Sequence, residues 1–257
     1  MFAEERYKRI VEMVNQSGKA TVSELSEALG VSLVTVRRDL EKLEEKELLI
    51  RTHGGAMAVH SVIGEVARER SFSEKETVFA AEKERIAEAA AAMVNDEEAV
   101  FLTPGTTNMM LAKKLANKKG LKVVTNAANI AVQLGNYSDI ELILIGGKMR
   151  RKSYALVGPL AESMLQQIRV DKLFLGIDGF DLNEGVTTPN LSEASMDKQM
   201  MSIAKEVIVV ADHSKFGRIY FSHVAPPDAV HTIITDNKLP AEMGQRIRER
   251  GIKLILV

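Results

Sequence analysis

Two sets of residues in this chain have types and spacings that could do chemistry. The first is Val34, Thr35, Arg37 and Arg38, preceded by Ser32. A guanidinium can fork onto guanine O6 and N7 or onto phosphate, and threonine or valine can meet a thymine methyl, so this set suits base edges in a major groove. The second set is scattered through Thr103-Pro104-Gly105-Thr106-Thr107, Thr125-Asn126, Gly146-Gly147, Gly176-Ile177-Asp178-Gly179 and Ala211-Asp212-His213-Ser214-Lys215. Gly105-Thr106-Thr107 at a helix start offers backbone amides, two hydroxyls and the positive helix end, which together suit a phosphate. Asp178, Asp181, Glu193 and Lys215 add carboxylates and an ammonium, which can hold sugar hydroxyls or, in an enzyme, run enediol chemistry. No Gly-Lys-Ser/Thr loop and no GxGxxG occurs, so no nucleotide cofactor is expected. The histidines lack ligand spacing, so neither is a metal.

The first set needs a rigid helix to present it. Tyr7, Ile10, Val11 and Val14 recur at helical spacing, predicting an amphipathic helix from about Glu4 to Gln16 that Ser17-Gly18 ends. Thr21-Val22-Ser23-Glu24 has the form of a capping box, and the helix behind it is expected to bury Leu25, Ala28 and Leu29. Gly30 suits a left-handed turn and Val31 can plug the angle between helices. Ser32 can cap a third helix that buries Leu33, Val36, Leu40 and Leu43. Capped helix, short turn and capped helix make a helix-turn-helix. Leu48 to His53 is β-prone, and Gly54-Gly55 can supply the positive φ values of a hairpin, which predicts a wing. The candidate DNA contacts are Thr21, Ser32, Val34, Thr35, Arg37, Arg38, Arg51 and His53. Asp39 is expected to orient a neighbouring arginine, because a bare carboxylate would repel phosphate.

The second set needs a sheet that gathers distant turns. Apolar runs Val100–Leu102, Val123–Thr125, Leu142–Ile145, Leu173–Ile177, Val207–Ala211, Ile233–Thr235 and Leu254–Val257 alternate with helical patterns. Continuous apolar strands separated by helices predict a mostly parallel α/β sheet covered on both faces. The carboxyl ends of such strands face one crevice, where ligands bind, and five polar turns converge there. Candidate effector contacts are Gly105, Thr106, Thr107, Thr125, Asn126, Gly147, Asp178, Glu193 and Lys215. The basic run Lys148, Arg150, Arg151 and Lys152 is either a solvated loop or a cover over an anion. Met196, Met200 and Met201 read as core or dimer-interface packing. The expected division is a winged helix-turn-helix over residues 1–58, a linker over 59–76 and an α/β domain over 77–257.

Arg6, Ile10 and Val14, followed by Ser32 and Thr35-Val36-Arg37-Arg38-Asp39-Leu40, resemble the DeoR-type transcription regulator signature, and Arg51-Thr52-His53-Gly54-Gly55-Ala56 resembles that family's wing. Thr125-Asn126, Gly146-Gly147, Gly176 to Gly179 and Asp212 to Gly217 are similar to segments of the family's sensor domain, which shares its fold with ribose-5-phosphate isomerase. The resemblance implies a repressor, not an enzyme, that binds double-stranded operator DNA as a dimer or tetramer and is released by a phosphorylated sugar. The genes under it would import and degrade that sugar. Gly176 to Thr188 looks most like members that regulate amino-sugar or sugar-alcohol uptake. The rival reading is a sugar-phosphate isomerase with a DNA-binding tail. The chain departs from the family pattern at Thr103-Pro104, where an acidic residue is common, and at Asp197, where a lysine is common.

Composition agrees without choosing among these readings. The chain has 257 residues, 46% of them hydrophobic and 27% charged, with a net charge of -1, so no overall field draws it to DNA and local patches must do so. The absence of cysteine excludes disulfides and thiolate chemistry and suits a reducing compartment. No apolar run approaches the roughly 18 residues of a membrane span, and charges fill the first ten residues, so a cytoplasmic location is expected.

Overall fold

The computed structural model describes residues 3–17, 19–45, 48–52, 54–58 and 69–257, in two units, Met1–Arg68 and Glu69–Val257. His53 and most of the expected linker lie outside the described residues. The first unit runs α1 (Ala3–Ser17), β1 (Lys19–Thr21), α2 (Val22–Leu29), α3 (Leu33–Glu45), β2 (Leu49–Thr52) and β3 (Gly55–Ala58). The Thr21–Glu24 capping box forms in both directions, and Gly30 takes the left-handed conformation at φ 64°. Ile10, Val14, Leu25, Leu29, Val36, Leu40 and Leu43 close the core.

Three expectations change here. Val22, not Ala28, completes the buried stripe of α2, because Val22, Leu25 and Leu29 share one face of this short helix. Leu33 is 44% exposed, since the first turn of α3 projects past the core that begins at Val36. The wing has a third strand: β1 pairs with β3, setting Thr21 opposite Gly55, while β2 pairs with the other edge of β3. Gly55 serves that approach and not a left-handed turn, because a Cβ there would lie 2.1 Å from the Ala20 carbonyl oxygen.

The second unit begins with α4 (Phe72–Glu76), α5 (Ala80–Ala92), β4 (Ala99–Leu102), α6 (Thr106–Lys114), β5 (Leu121–Thr125), α7 (Ala128–Leu134) and β6 (Ile140–Leu144). A hairpin of β7 (Lys148–Met149) and β8 (Leu156–Val157) precedes α8 (Pro159–Leu165), β9 (Val170–Leu175), β10 (Gly179–Asp181), β11 (Gly185–Thr188) and α9 (Leu191–Ser202). The chain then forms β12 (Ala204–Val210), β13 (Ser222–Ala225), β14 (Thr232–Thr235), α10 (Ala241–Glu249) and β15 (Lys253–Leu256). Residues 69–76, assigned to the linker by sequence, thus belong to this unit, and five of them form α4 behind a Ser71–Glu74 capping box.

All seven apolar runs become parallel strands of one sheet, ordered β15-β14-β12-β9-β4-β5-β6. Val100 and Leu102 face one apolar layer and Phe101 the other, so β4 is apolar throughout rather than alternating. Met196, Met200 and Met201 are buried in the layer that holds Phe101. Progress along the chain reverses direction across the sheet between β4 and β9, which makes their carboxyl ends the topological switch point.

Candidate functional site

In the first unit the candidate reader lies along α3. Ser32 Oγ accepts from the Thr35 amide at 3.2 Å and meets Thr35 Oγ1 at 2.8 Å, so both hydroxyls are held at the helix start. Val36, Leu40 and Leu43 turn inward, which leaves Val34, Arg37 and Arg38 exposed on the opposite face at helical spacing. Thr21 is also exposed, with its hydroxyl in the α2 cap. Arg51 on the wing reaches Glu41 of α3 at 2.9 Å, a solvent-exposed pair that holds the side chain weakly and can be exchanged for a phosphate. Asp39 does orient an arginine, but the partner is Arg6 of α1, bound through both carboxylate oxygens, with Arg6 Nη2 3.0 Å from Oδ1. That pair fastens α1 to the recognition helix.

In the second unit the switch point is stitched by polar side chains. Asn108 Nδ2 donates to the carbonyls of Thr103 and Phe174, both at 2.9 Å, and Gly176 N donates to Thr103 Oγ1 at 2.9 Å. Thr103, the departure from the family pattern, therefore ties the β4 turn to the β9 turn. A side chain at Gly176 would crowd the Pro104 carbonyl at 3.0 Å. Gly105 at φ 148° opens α6, and neither the Thr106 nor the Thr107 hydroxyl is engaged by another described residue.

Across the crevice stands a cluster of charges. Asp178 accepts from Lys75 Nζ at 3.2 Å and from Thr188 Oγ1 at 2.9 Å. Burial alone would raise the Asp178 pKa, but Lys75, Lys215 and the Thr188 hydroxyl outweigh it and keep the carboxylate ionised. Lys215 is lowered, chiefly by burial and also by its like-charged neighbours Lys75 and Arg218, against Asp178 and Asp212. Glu193 accepts from Ser153 Oγ at 2.6 Å and pairs with Arg150, which also grips Glu69. Burial still leaves the Glu193 carboxyl raised. Asp197, one turn along α9, is raised well above the ordinary range by burial and by the charges of Glu193 and Asp178.

The structure thus brings Asp178, Glu193 and Lys215 together and sets Gly105-Thr106-Thr107 at the adjoining strand end. Thr125, Asn126 and Gly147 also make contacts within the sheet and its neighbouring hairpin, and Asn126 Oδ1 is buried without a hydrogen-bond partner among the described residues. The Thr125 hydroxyl donates to the Leu102 carbonyl at 2.7 Å and accepts from the Ala127 amide at 3.1 Å, and the residue is fully buried. Asn126 donates to the Leu156 carbonyl at 3.1 Å. Gly147 packs where a Cβ would sit 2.8 Å from the Val157 carbonyl. Arg150, from the basic run, is committed to two carboxylates and does not stand free over the crevice. Sequence reasoning missed Lys75, Thr188 and Asn108. The Ser71-x-x-Glu74 capping pattern was the available signal for a helix carrying Lys75.

A helix-turn-helix with a wing, joined in one chain to a doubly wound sheet with a polar crevice at its switch point, defines a DNA-binding regulator with a ligand-sensing unit. Residues 6–62 match the DeoR-like helix-turn-helix domain and residues 78–237 the DeoR C terminal sensor domain. The HTH-type transcriptional regulator GlpR of Haloferax volcanii is 40% identical over 99% of this chain and 98% of its own length. The putative aga operon transcriptional repressor of Escherichia coli O157:H7 is 35% identical over 98% of this chain and 93% of its own. The glycerol-3-phosphate regulon repressor of Escherichia coli K12 is 32% identical over 98% of each. This chain belongs to the DeoR family of transcriptional regulators.

Proposed function

We propose that the chain represses genes for the uptake or breakdown of a sugar and leaves its operator when it binds the phosphorylated form of that sugar. The observation that carries this reading is the pairing, at one switch point, of an anion seat with a polar wall. Gly105, Thr106 and Thr107 at the start of α6 take the phosphate through amides, hydroxyls and the helix end, while Asp178 reads sugar hydroxyls. Lys215 adds a cation on the same side. Glu193 and its Arg150 partner shape the far end. A relative named as a glycerol-3-phosphate regulon repressor and one named as a putative aga operon transcriptional repressor support the regulatory role. They also favour a regulator over an isomerase.

Val34, Thr35, Arg37 and Arg38 enter the major groove, with Thr21, Ser32 and Arg51 at its margins. A symmetric dimer or tetramer spaces two recognition helices by about one DNA turn or a multiple of it. Among the described residues no helix is long and apolar enough to cross a membrane. A thermal-shift screen against sugar phosphates, followed by operator-binding assays with each hit, tests the reading, because a ligand of the native state raises its melting temperature. At least one sugar phosphate should both stabilise the protein and release DNA, and its free sugar should do neither. Stabilisation without release would sink the regulatory half of the proposal.

A further inference from the structure

Residues 69–78 open the second unit, and three anchors build them into its crevice. Arg150 grips Glu69, with Nη1 2.8 Å from Oε1. The Phe72 amide donates to the Lys152 carbonyl at 2.7 Å, and the Phe72 ring meets Tyr154 edge-on at 5.7 Å. Lys83 Nζ donates to the carbonyls of Lys75 and Val78 at 2.6 and 2.7 Å, closing the end of α4. α4 also lies beside α6, the helix that Thr106 and Thr107 begin. The outcome of this anchoring is that Lys75 reaches Asp178, and the two side chains stay 25% and 20% exposed, so a solute can reach the pair.

Resting on the function proposed above, we propose that Lys75 is itself a ligand of the effector, and that binding exchanges the Lys75–Asp178 ion pair for Lys75–phosphate and Asp178–hydroxyl contacts. A partly buried ion pair is costly to break when only one partner is recompensed, because the other is left as an unpaired charge. A sugar phosphate recompenses both at once, the anion for the ammonium and the hydroxyl donors for the carboxylate. Inorganic phosphate satisfies Lys75 alone and free sugar Asp178 alone, so the pair selects ligands that carry both functions. Because Lys75 sits on α4 at the start of the second unit, the liganded and free states differ in the contacts of residues 69–78. A ligand can bias DNA binding only through such a difference between states.

Calorimetry on the full chain tests this. A panel of three- to six-carbon sugar and polyol monophosphates is titrated together with the matching free sugars and inorganic phosphate. For the tightest panel member, Lys75→Met should weaken binding by about 10- to 100-fold, as expected for loss of a hydrogen bond to a charged group. Affinity for the matching free sugar, weak in the parent, should not fall, because Asp178 then gives up no lysine when it turns to a hydroxyl, and Lys75→Arg should restore most of the phosphorylated ligand's affinity. A cooperative unfolding transition in Lys75→Met confirms a folded variant. If it binds the phosphorylated ligand as tightly as the parent, or loses phosphorylated and free sugar equally, Lys75 is only a strut of the crevice and the inference fails. If the parent binds no panel member, the proposed effector class fails first and takes the role of Lys75 with it.

Discussion

The proposed DNA reader and the proposed effector crevice are assembled in opposite ways. Val34, Thr35, Arg37 and Arg38 are neighbours on one helix, and the helix that orders them also leaves Val34, Arg37 and Arg38 exposed. The crevice draws Lys75, Asp178, Glu193 and Lys215 from α4, the β9 turn, α9 and the β12 turn; Lys75 is paired with Asp178, Glu193 with Arg150, and Lys215 lies in the field of Asp178. A surface that meets a large polyanion gains from exposed cations that pay little to desolvate. A pocket for a small polar ligand must hold buried charges in place beforehand, and it does so with internal partners that the ligand then replaces. Substitutions should therefore act separately in the reader and jointly in the crevice.

The largest expected effect tests whether the reader depends on anything beyond its own helix. Asp39→Ala strips Arg6 of a bidentate partner in a largely buried setting and should cost the first unit about 3 kcal/mol of stability. Denaturant unfolding measures it, and a loss under about 1 kcal/mol would mean that α1 and α3 are held by apolar packing alone. Next, Arg37→Ala and Arg38→Ala should each cost on the order of 1 to 3 kcal/mol of operator affinity, with effects that nearly add and no change in unfolding. An unchanged operator affinity in the double variant would remove α3 from the groove.

In the crevice, Thr106→Ala and Thr107→Ala should each lower sugar-phosphate affinity by about 1 kcal/mol, and combination with Lys75→Met should depart from additivity because the phosphate engages all three groups only when the Lys75–Asp178 pair opens. Strict additivity in a double-mutant cycle would break the contrast with the reader. A last effect, read as a pH slope and not as a loss on mutation, concerns Lys83, whose pKa is lowered to about 8 from 10.5, first by burial and then by Lys215 and Lys75, against Asp212 and Glu76. Between those two pH values the unfolded chain holds a proton that the native state has released, so native stability gains as pH rises. The parent should gain stability relative to Lys83→Met across that interval. A flat difference would place Lys83 in a wetter setting than its two carbonyl contacts suggest.

Much of the scaffold was legible because its causes are local. A capping box needs four residues, as at Thr21–Glu24, and the apolar runs mark their strands because a buried parallel strand must be apolar on both faces. The errors were also local in kind. Ala28 and Leu33 fit the helical spacing, yet whether a helix position is covered depends on where the core ends. Residues 69–76 were set aside as linker because a short charged helix has no apolar period to betray it, and Lys75 went with them.

The sequence by itself determined the helix-turn-helix, the seven strands and the polar character of the turns that follow five of them, since each depends on side chains within a few residues of one another. Tertiary structure alone decided that β1 joins the wing, that β4 lies beside β9, that Thr125 and Asn126 bond to the carbonyls of Leu102 and Leu156, and that Asp178 and Lys215 come together. Lys75 and Asp178 stand 103 positions apart in the chain, and Arg150 and Glu69 stand 81 apart. No short-range pattern couples such residues. They meet because the sheet brings distant strand ends together, and a charge buried there is stable only beside an opposite one.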